Sequence, residues 1–460
     1  MAMIYAQLLL TAVLVLCLTA AAGADAPAAG PEELVRNGDF AAAGKQRLPA
    51  HWSAWQPVWK RAACTVRRTA DGLLVEGARA HDVGGVEQKL RGVRGGRAYT
   101  IQAACELRKI PSPYRSVMVR LNWTRKGKLL HPAGMLVRGP VVTGTGARFD
   151  DVLVAPKAAD GALLSLEVKW PTGGTVLWKR VSVRPAPAPP PRKVKIGTVY
   201  LRPKRSTPQR NLDLFCKQID AAGKLKLDIV CLSEAITTVG TTKNAADVAE
   251  PIPGPASRRL GKAAARNRIW VVAGLTEREG DAVYNTAVLL DRGGRLAGKY
   301  RKVHLPREEW KKGITPAGEY PVFRTDFGTI AIQICYDWFF PEPASIFALR
   351  GAEILFAPTW GNTLPDQDGR VRGETVFRVR ARDNGLYMVP SVYDGSSMVI
   401  DPMGRILASN KGREGVFWCE VDLSVREPLW WVGYWRSIGP RDRMPHTYKP
   451  LTKEPRKPTY

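Results

Sequence analysis

Between Arg184 and Pro191 five of eight residues are proline, and two of the other three are alanine. Proline fixes φ and lacks a backbone N–H, so neither a helix nor a central strand can be built from such a run. An extended, semi-rigid spacer is the expected conformation, placed here at 187–193. It divides a chain of 460 residues, and each side is long enough to close a core of its own. The hydrophobic pattern also differs on its two sides.

Before the spacer, from 33 to 186, apolar residues alternate in short runs between glycine-rich turns. The runs are Leu73–Glu76, Gly85–Leu90, Ala98–Leu107, Ser116–Trp123, Ala162–Val168 and Thr175–Val183. Short strands at regular spacing predict an all-β sandwich. Trp52, Trp55, Trp59 and Trp123 either fill the core and ends of such a sandwich or stack on a ligand, and filling is the commoner use of tryptophan. Cys64 and Cys105 both fall in this part and could pair in an oxidising compartment. Asn122–Trp123–Thr124 is a glycosylation sequon.

After the spacer, from 194 to 425, apolar strands alternate with amphipathic helices. Val194–Tyr200 is a strand. Thr207 and Pro208 open a helix with Leu212, Phe215, Cys216 and Ile219 on one face. Leu227–Leu232 is a strand that delivers Ser233 and Glu234. Ser257–Asn267 is a helix and Ile269–Leu275 a strand, and Tyr284–Leu290 pairs with Arg295–Val303 across Asp291–Gly294. Strands at Glu353–Ala357, Leu386–Ser391 and Val416–Val421, a helix at Val371–Asn384 and a hairpin of Ser396–Ile400 with Arg405–Ala408 complete the pattern. This predicts an α/β domain with helices covering a large sheet.

Within it, Thr329–Ile334 reads as a buried strand ending at Cys335. Pro341 and Glu342 then open a helix running to Arg350, with proline and an acid where a first helical turn favours them. A cysteine at a sharp strand-to-helix turn exposes its sulfur and leaves backbone N–H groups near it for an oxyanion. A cysteine ending an apolar strand is usually just a small buried hydrophobe. Other strand-end groups change that reading: Glu234 closes "LDIVCLSE", Lys302 sits in "KYRKVHL", and Glu308 and Glu309 follow in "PREEW". A carboxylate in a poorly solvated pocket can take a thiol proton. A fixed cation, with the Tyr336 N–H, can hold the negative oxygen of a tetrahedral intermediate.

The motifs "LSE", "YRKVHL" and "ICYDWFFPE" resemble, in order and context, the Glu-Lys-Cys triad of the nitrilase superfamily, the carbon–nitrogen hydrolases. "PIPGPAS", "YNTAVLLDRGGRLAGKYRK", "LRGAEILFAPTW" and "MVIDPMGRILAS" match its flanking segments. The resemblance implies a four-layer αββα sandwich, usually paired into dimers, and no metal or cofactor. It implies Glu234 as general base, Cys335 as nucleophile through a thioester, and Lys302 as the oxyanion cation. Glu309 is the second glutamate by its spacing to "TPAGE", with Glu308 as the alternative. "CYD" followed by "FPE" is similar to the amidase and N-carbamoyl-amine hydrolase branches, so a linear amide or N-carbamoyl substrate is implied. Trp338, Trp360 and the arginines of Arg370–Arg382 are expected to line or support the pocket, and an arginine there can hold a carboxylate. Asp383–Asn384 stands where the family often has a Glu-Asn pair. The opening "NGDF…LPAHW" and closing "TVLWKRVSV" of the first part resemble galactose-binding-like jelly-roll modules, which implies a carbohydrate ligand. An acyltransferase, or a surface-binding protein with an inactive hydrolase domain, stays open as an alternative.

Residues 1–24 resemble a secretory signal: Leu8–Leu18 is apolar and Ala22–Gly23–Ala24 suits cleavage. An exported protein without a membrane span in its mature part is the expectation. Net charge is +27, which suits a solvated basic surface or an anionic partner. No zinc-finger or aromatic RNA-binding signature occurs, so nucleic acid is not an expected partner. His304 is the only histidine of the α/β part, which disfavours a Ser-His-Asp arrangement. The basic tail, 426–460, carries Trp430, Trp431 and Trp435 and is expected to pack on the body or across a dimer.

Overall fold

The structure is a computed structural model that describes residues 33–44, 48–361 and 372–453. The leader-like segment 1–24, Arg370 and the end of the tail lie outside the described residues. Contacts group residues up to Val119, Thr124–Gly127 and Gly139–Pro187 into one compact unit. Arg120–Trp123, Lys128–Arg138 and the chain from Ala188 form a second. Among the described residues no helix is long and apolar enough to cross a membrane.

The N-terminal part folds into two six-stranded sheets. One orders Ser53–Trp55, Val83–Arg91, Gly161–Lys169, Val117–Arg125 and Lys128–Leu129, with Met135–Leu136 also on Val117–Arg125. The other orders Thr65–Thr69, Gly72–Glu76, Thr175–Ala186, Ala98–Arg108, Gly146–Val154 and Val141–Thr143. Every run expected to be a strand is one. Gly146–Val154 is a strand the alternation hides, because the buried positions Ala147, Phe149 and Leu153 are interrupted by a buried Asp151. The strand from Thr175 takes in Pro185 and ends at Ala186, so irregular chain begins only with the last prolines.

Two side-chain expectations, the cysteine pairing and the sequon, need correction, whereas Trp52 and Trp123 fill the interior as expected. Cys64 and Cys105 are both free thiols. Cys105 lies opposite Ala147 and Trp178 in its sheet, whereas Cys64 backs on Gly77 and Gly84. Asn122 and Thr124 are buried, so the sequon is not a surface site. Trp52 and Trp123 are also buried. Trp52 donates from Nε1 to the Asn37 carbonyl at 3.0 Å, which leaves Trp55 and Trp59 as the tryptophans of that set with exposed surface.

In the second unit we label β1 (Lys193–Tyr200), α1 (Pro208–Lys224), β2 (Ile229–Cys231), α2 (Pro255–Asn267), β3 (Trp270–Glu279), β4 (Ala282–Leu290) and β5 (Leu296–Arg301). Then come β6 (Val322–Arg324), β7 (Thr329–Ile332), α3 (Pro341–Leu349), β8 (Ile354–Pro358), α4 (Arg372–Asn384), β9 (Tyr387–Ser391), β10 (Met398–Ile400), β11 (Ile406–Ser409) and β12 (Gly415–Asp422). They make two sheets rather than one, ordered β5-β4-β3-β2-β1-β12 and β6-β7-β8-β9-β10-β11. In each, three central strands run parallel: β1, β2 and β3 in the first, and β7, β8 and β9 in the second. Ile196, Cys231 and Val272 of the first sheet share one core with Ile330, Ile332, Leu355 and Phe356 of the second, and with Phe347 and Phe377 from α3 and α4. On the far face of the first sheet, Val199, Val230 and Val271 pack on Leu212, Phe215 and Ile219 of α1 and Leu260 of α2. The layer order is therefore α, β, β, α. Thr207 caps α1 by accepting from the Arg210 N–H at 3.2 Å, and Pro208 fills its first turn, as the sequence implies.

Glu277 at the end of β3 is buried beneath the β4–β5 hairpin. Burial alone would raise its carboxyl, but hydrogen bonds from Arg301, Lys299 and Thr286 outweigh it and hold the group below the ordinary 4.5. A carboxylate with a lowered folded value contributes stability above its unfolded value and loses it as pH falls through the folded one. We therefore expect Glu277→Gln to lower the Tm at neutral pH. The difference from wild type should shrink on acidification from about pH 5 to about pH 3. A pH series of thermal unfolding checks this, and a constant difference would count against it.

Part of the tail packs on this unit. A short helix, Trp435–Asp442, follows it, with Trp435 Nε1 donating to the Asp383 carbonyl at 2.5 Å and Arg436 to the Ala352 carbonyl at 3.0 Å. Trp430 and Trp431 are 77% and 67% exposed.

Candidate active site

Four chain segments converge at one end of the first sheet. Glu234 follows β2 and is 2% exposed. The next residue, Ala235, turns with φ of 45°. The turn lies so close to β3 that a Cβ on Gly274 would sit 2.6 Å from Glu234 Cα, so this position must be glycine. Lys302 comes directly after β5, its N–H bonded to the Asn285 carbonyl of β4 at 2.9 Å, and is 1% exposed. Glu309 sits on a one-turn helix, Arg307–Trp310. Cys335 follows β7 and begins a 3-10 turn to Phe339 with φ of 40°. A cysteine in the left-handed region costs about 1–2 kcal/mol, and such strain concentrates at functional turns.

Lys302 joins the carboxylates. Its Nζ donates to Glu234 Oε1 at 2.9 Å and to Glu309 Oε1 at 2.8 Å. Asn285 Nδ2 donates to the same two oxygens at 2.7 and 2.9 Å. Both glutamates thus use Oε1 twice, and Oε2 of each is buried with no hydrogen-bond partner among the described residues. Glu308, the alternative to Glu309, points to solvent beside Arg307. Burial opposes the charge on Lys302, but Glu234, Cys335 and Glu309 together raise it well above its ordinary value, so it is a permanent cation. Burial, then the Glu234 charge, push the Glu309 carboxyl up. Burial first, and then Glu234, push the Cys335 thiol up to about 12, against the pull of Lys302 and of the Trp360 backbone N–H.

A thiol that weakly acidic is not ionised at neutral pH, so its proton must pass to a base as the sulfur attacks. Glu234, with Oε2 uncommitted, is the carboxyl beside it that can take this proton. The arrangement therefore has the parts of nucleophilic acyl chemistry: a thiol, a base, and a fixed cation held between two carboxylates.

The other expected site residues fall differently. Tyr336 is part-exposed, its ring against Phe339 and Phe340. Trp338 lies in the buried core, its ring 5.4 Å from Phe377 of α4. Trp360 is 40% exposed and meets Tyr393 edge-on at 5.3 Å, and its backbone N–H is the group that reaches Cys335. Tyr393 in turn donates to the Glu234 carbonyl at 2.7 Å. Arg378 of α4 is spent on the Gly404 carbonyl at 2.8 Å. Asn285 was not singled out from the sequence; its signal is a lone amide among the apolar residues of "YNTAVLL".

One further group ties the site together. Asp337 is fully buried. Its Oδ2 accepts from the Tyr300 hydroxyl at 2.7 Å and the Ile334 N–H at 3.0 Å. Its Oδ1 accepts from the His304 N–H at 3.0 Å and lies 2.9 Å from His304 Nδ1. Tyr300 and His304 flank Lys302, and Ile334 and Asp337 flank Cys335, so one carboxylate sets the spacing of cation and nucleophile. Asp337→Ala strands at least three buried donors and should cost about 3 kcal/mol of stability. A displacement of about 1 Å at the reacting atoms costs on the order of 100-fold, so we expect that loss in kcat with KM little changed. Thermal unfolding and steady-state kinetics together check it; a wild-type kcat would show that the tie does not matter.

Among the described residues no group of three or more His, Cys, Asp or Glu side chains is placed to hold a metal ion. The family profile described as "Carbon-nitrogen hydrolase" matches residues 195–429. A protein named probable nitrilase from Schizosaccharomyces pombe is 30% identical over 56% of this chain and 98% of its own length. A chloroplastic omega-amidase from Arabidopsis thaliana is 32% identical over 60% of this chain and 80% of its own. An omega-amidase from Mus musculus is 30% identical over 46% of this chain and 83% of its own. The matched span contains Glu234, Lys302, Glu309 and Cys335 in the geometry above, and the chain belongs to the carbon–nitrogen hydrolase family.

Proposed function

We propose that the second unit cleaves a non-peptide C–N bond in a small linear amide or N-carbamoyl amine through a thioester on Cys335. The carrying observation is the uncommitted Oε2 of Glu234 beside a thiol held at about 12, with Lys302 fixed between two carboxylates. Glu234 takes the thiol proton as the sulfur adds to the carbonyl carbon. The negative oxygen so formed meets Lys302 and backbone N–H groups at the turn, of Tyr336 or Trp360. Glu234 returns the proton to the leaving nitrogen as the C–N bond breaks, and ammonia or an amine departs. Water then adds to the thioester, giving its proton to Glu234. The carbon–sulfur bond breaks, the thiol is restored, and the acid leaves. Glu309 and Asn285 hold Glu234 and Lys302 in place throughout.

Intact-protein mass spectrometry with a panel of amides and N-carbamoyl amines, with released ammonia or amine followed in parallel, tests this. A single acyl adduct on Cys335 together with release supports it. Free thiol with neither adduct nor release across the panel would reject it. An added amine that captures the acyl group faster than water would reassign the chain to acyl transfer.

The remaining features fit an exported, modular hydrolase. The apolar Leu8–Leu18 run supports export. The N-terminal segment 33–186 is proposed to be a galactose-binding-like jelly roll, supported by its two six-stranded sheets and its terminal motifs. The hydrolase domain is proposed to span 194–425. The exposed Trp430 and Trp431 suit a homodimer contact, and sedimentation equilibrium of the Trp430→Ser, Trp431→Ser double variant reads that directly.

A further inference from the structure

The first unit carries a surface that the hydrolase chemistry does not use. Four loops, 56–64, 77–82, 109–116 and 170–174, meet at one end of its sheets. The pairing puts them there: Ala63 bridges Val83, Thr175 lies opposite both Glu76 and Arg108, and Lys169 lies opposite Val83. Hydrogen bonds fix the loops to each other. Arg79 donates to the Arg61 carbonyl and, at 2.9 Å, to both oxygens of Asp82. The Asp82 carbonyl accepts from the Trp170 N–H at 2.7 Å.

These loops hold Lys60, Arg61, Arg79, Lys109 and Arg115 against one carboxylate, Asp82, which is buried and paired with Arg79. The segment 33–186 as a whole has 26 Lys and Arg against 11 Asp and Glu. Beside the cations stands an apolar tip: Val58 is fully exposed and Trp59 is 65% exposed.

Which polyanion fits is decided by the aromatic rings. A sugar or base chain needs open ring faces to stack on. Arg115 and Lys169 already sit over Trp170, at 5.5 and 4.8 Å, and Arg61 sits over one side of Trp59 at 5.8 Å. A fully exposed valine offers such a chain nothing to bind. An apolar tip ringed by cations suits a bilayer interface, where the tip enters the acyl boundary and the cations meet anionic headgroups. Either signal alone is marginal, but two together give stable attachment.

We propose that this end of the first unit binds the surface of an anionic phospholipid bilayer, with Val58 and Trp59 inserted and Lys60, Arg61 and Lys109 facing the headgroups. The test is co-sedimentation of the full protein with phosphatidylcholine vesicles with and without about one-third phosphatidylglycerol. Binding is expected only with the anionic lipid, and it should weaken as salt is raised. The Val58→Ser, Trp59→Ser variant should bind roughly tenfold more weakly, and Lys60→Glu, Arg61→Glu roughly thirtyfold, both with unchanged turnover in solution. Failure of the wild type to sediment with anionic vesicles would overturn the proposal. So would sedimentation that neither variant reduces. Retention on a sulfated polysaccharide or single-stranded DNA that needs the cations but not Val58 and Trp59, without vesicle binding, would assign the surface to that polymer instead.

Discussion

Cys335→Ala is expected to reduce turnover by roughly 10⁴-fold or more while leaving the protein folded. The geometry separates the two effects. The hydrogen bonds that hold the charged cluster run among Lys302, Glu234, Glu309 and Asn285, and none of them involves the sulfur. Alanine keeps a side chain at the same left-handed backbone position, so the turn into α3 is unaltered. What disappears is the atom that bonds to carbon. The variant should show no acyl adduct by mass and near-wild-type thermal unfolding, and it should bind an amide without consuming it. Residual turnover within tenfold of wild type would remove the thioester from the mechanism.

Lys302→Met is expected to cost both stability and activity. Lys302 is 1% exposed between two carboxylates. Methionine fills much of its volume but leaves Glu234 and Glu309 side by side without a cation. Breaking a buried pair in this way costs about 3–5 kcal/mol, and loss of the oxyanion cation should lower kcat on the order of 10³-fold. The pH dependence gives a separate signature. Glu309 is already raised by burial and by Glu234 with the lysine present, and without it the pair must hold a proton. A carboxyl raised in the folded state contributes stability that is complete below its unfolded value and is lost as pH rises through the folded one. The variant should therefore gain more Tm than the wild type on acidification from about pH 8 to about pH 5, because losing the cation raises the pair further. A variant that is merely destabilised, with the same pH profile as wild type, would mean that Lys302 does not hold the pair.

The legible part of this site is marked in two ways. Glu234 and Cys335 each end an apolar run, so the break in pattern marks them, whereas Lys302 follows the mixed strand Leu296–Arg301 and is marked by the order of the three motifs. Asn285 touches both carboxylates but lies inside β4 among buried neighbours, where period-two patterning shows only a strand. The Trp360 contribution is a backbone N–H, which no side-chain pattern can announce. Asp337 is visible in "CYD", yet its role depends on Tyr300 and His304, more than thirty residues away. The α/β alternation was readable because strand and helix periods differ. That the strands split into two stacked sheets was not, because buried parallel strands look alike in either sheet, and only the family resemblance implied it. The free state of Cys64 and Cys105 turns on where the fold places them, Cys105 within a strand and Cys64 just before one, which composition does not address.

The cluster of one ammonium, two carboxyls and a neutral thiol has a consequence for how turnover responds to its surroundings. In the proposed cycle a single proton shuttles among sulfur, Glu234 and the departing nitrogen, then returns from water. Neutral amide and water enter, neutral amine and acid leave, and the sum of charge inside the pocket is the same before and after every bond change. A catalyst that never imports or exports charge has little coupling to the ionic atmosphere outside. Chemistry should therefore run at nearly the same rate in dilute and concentrated salt, even as the cation-ringed end of the first unit lets go of its surface.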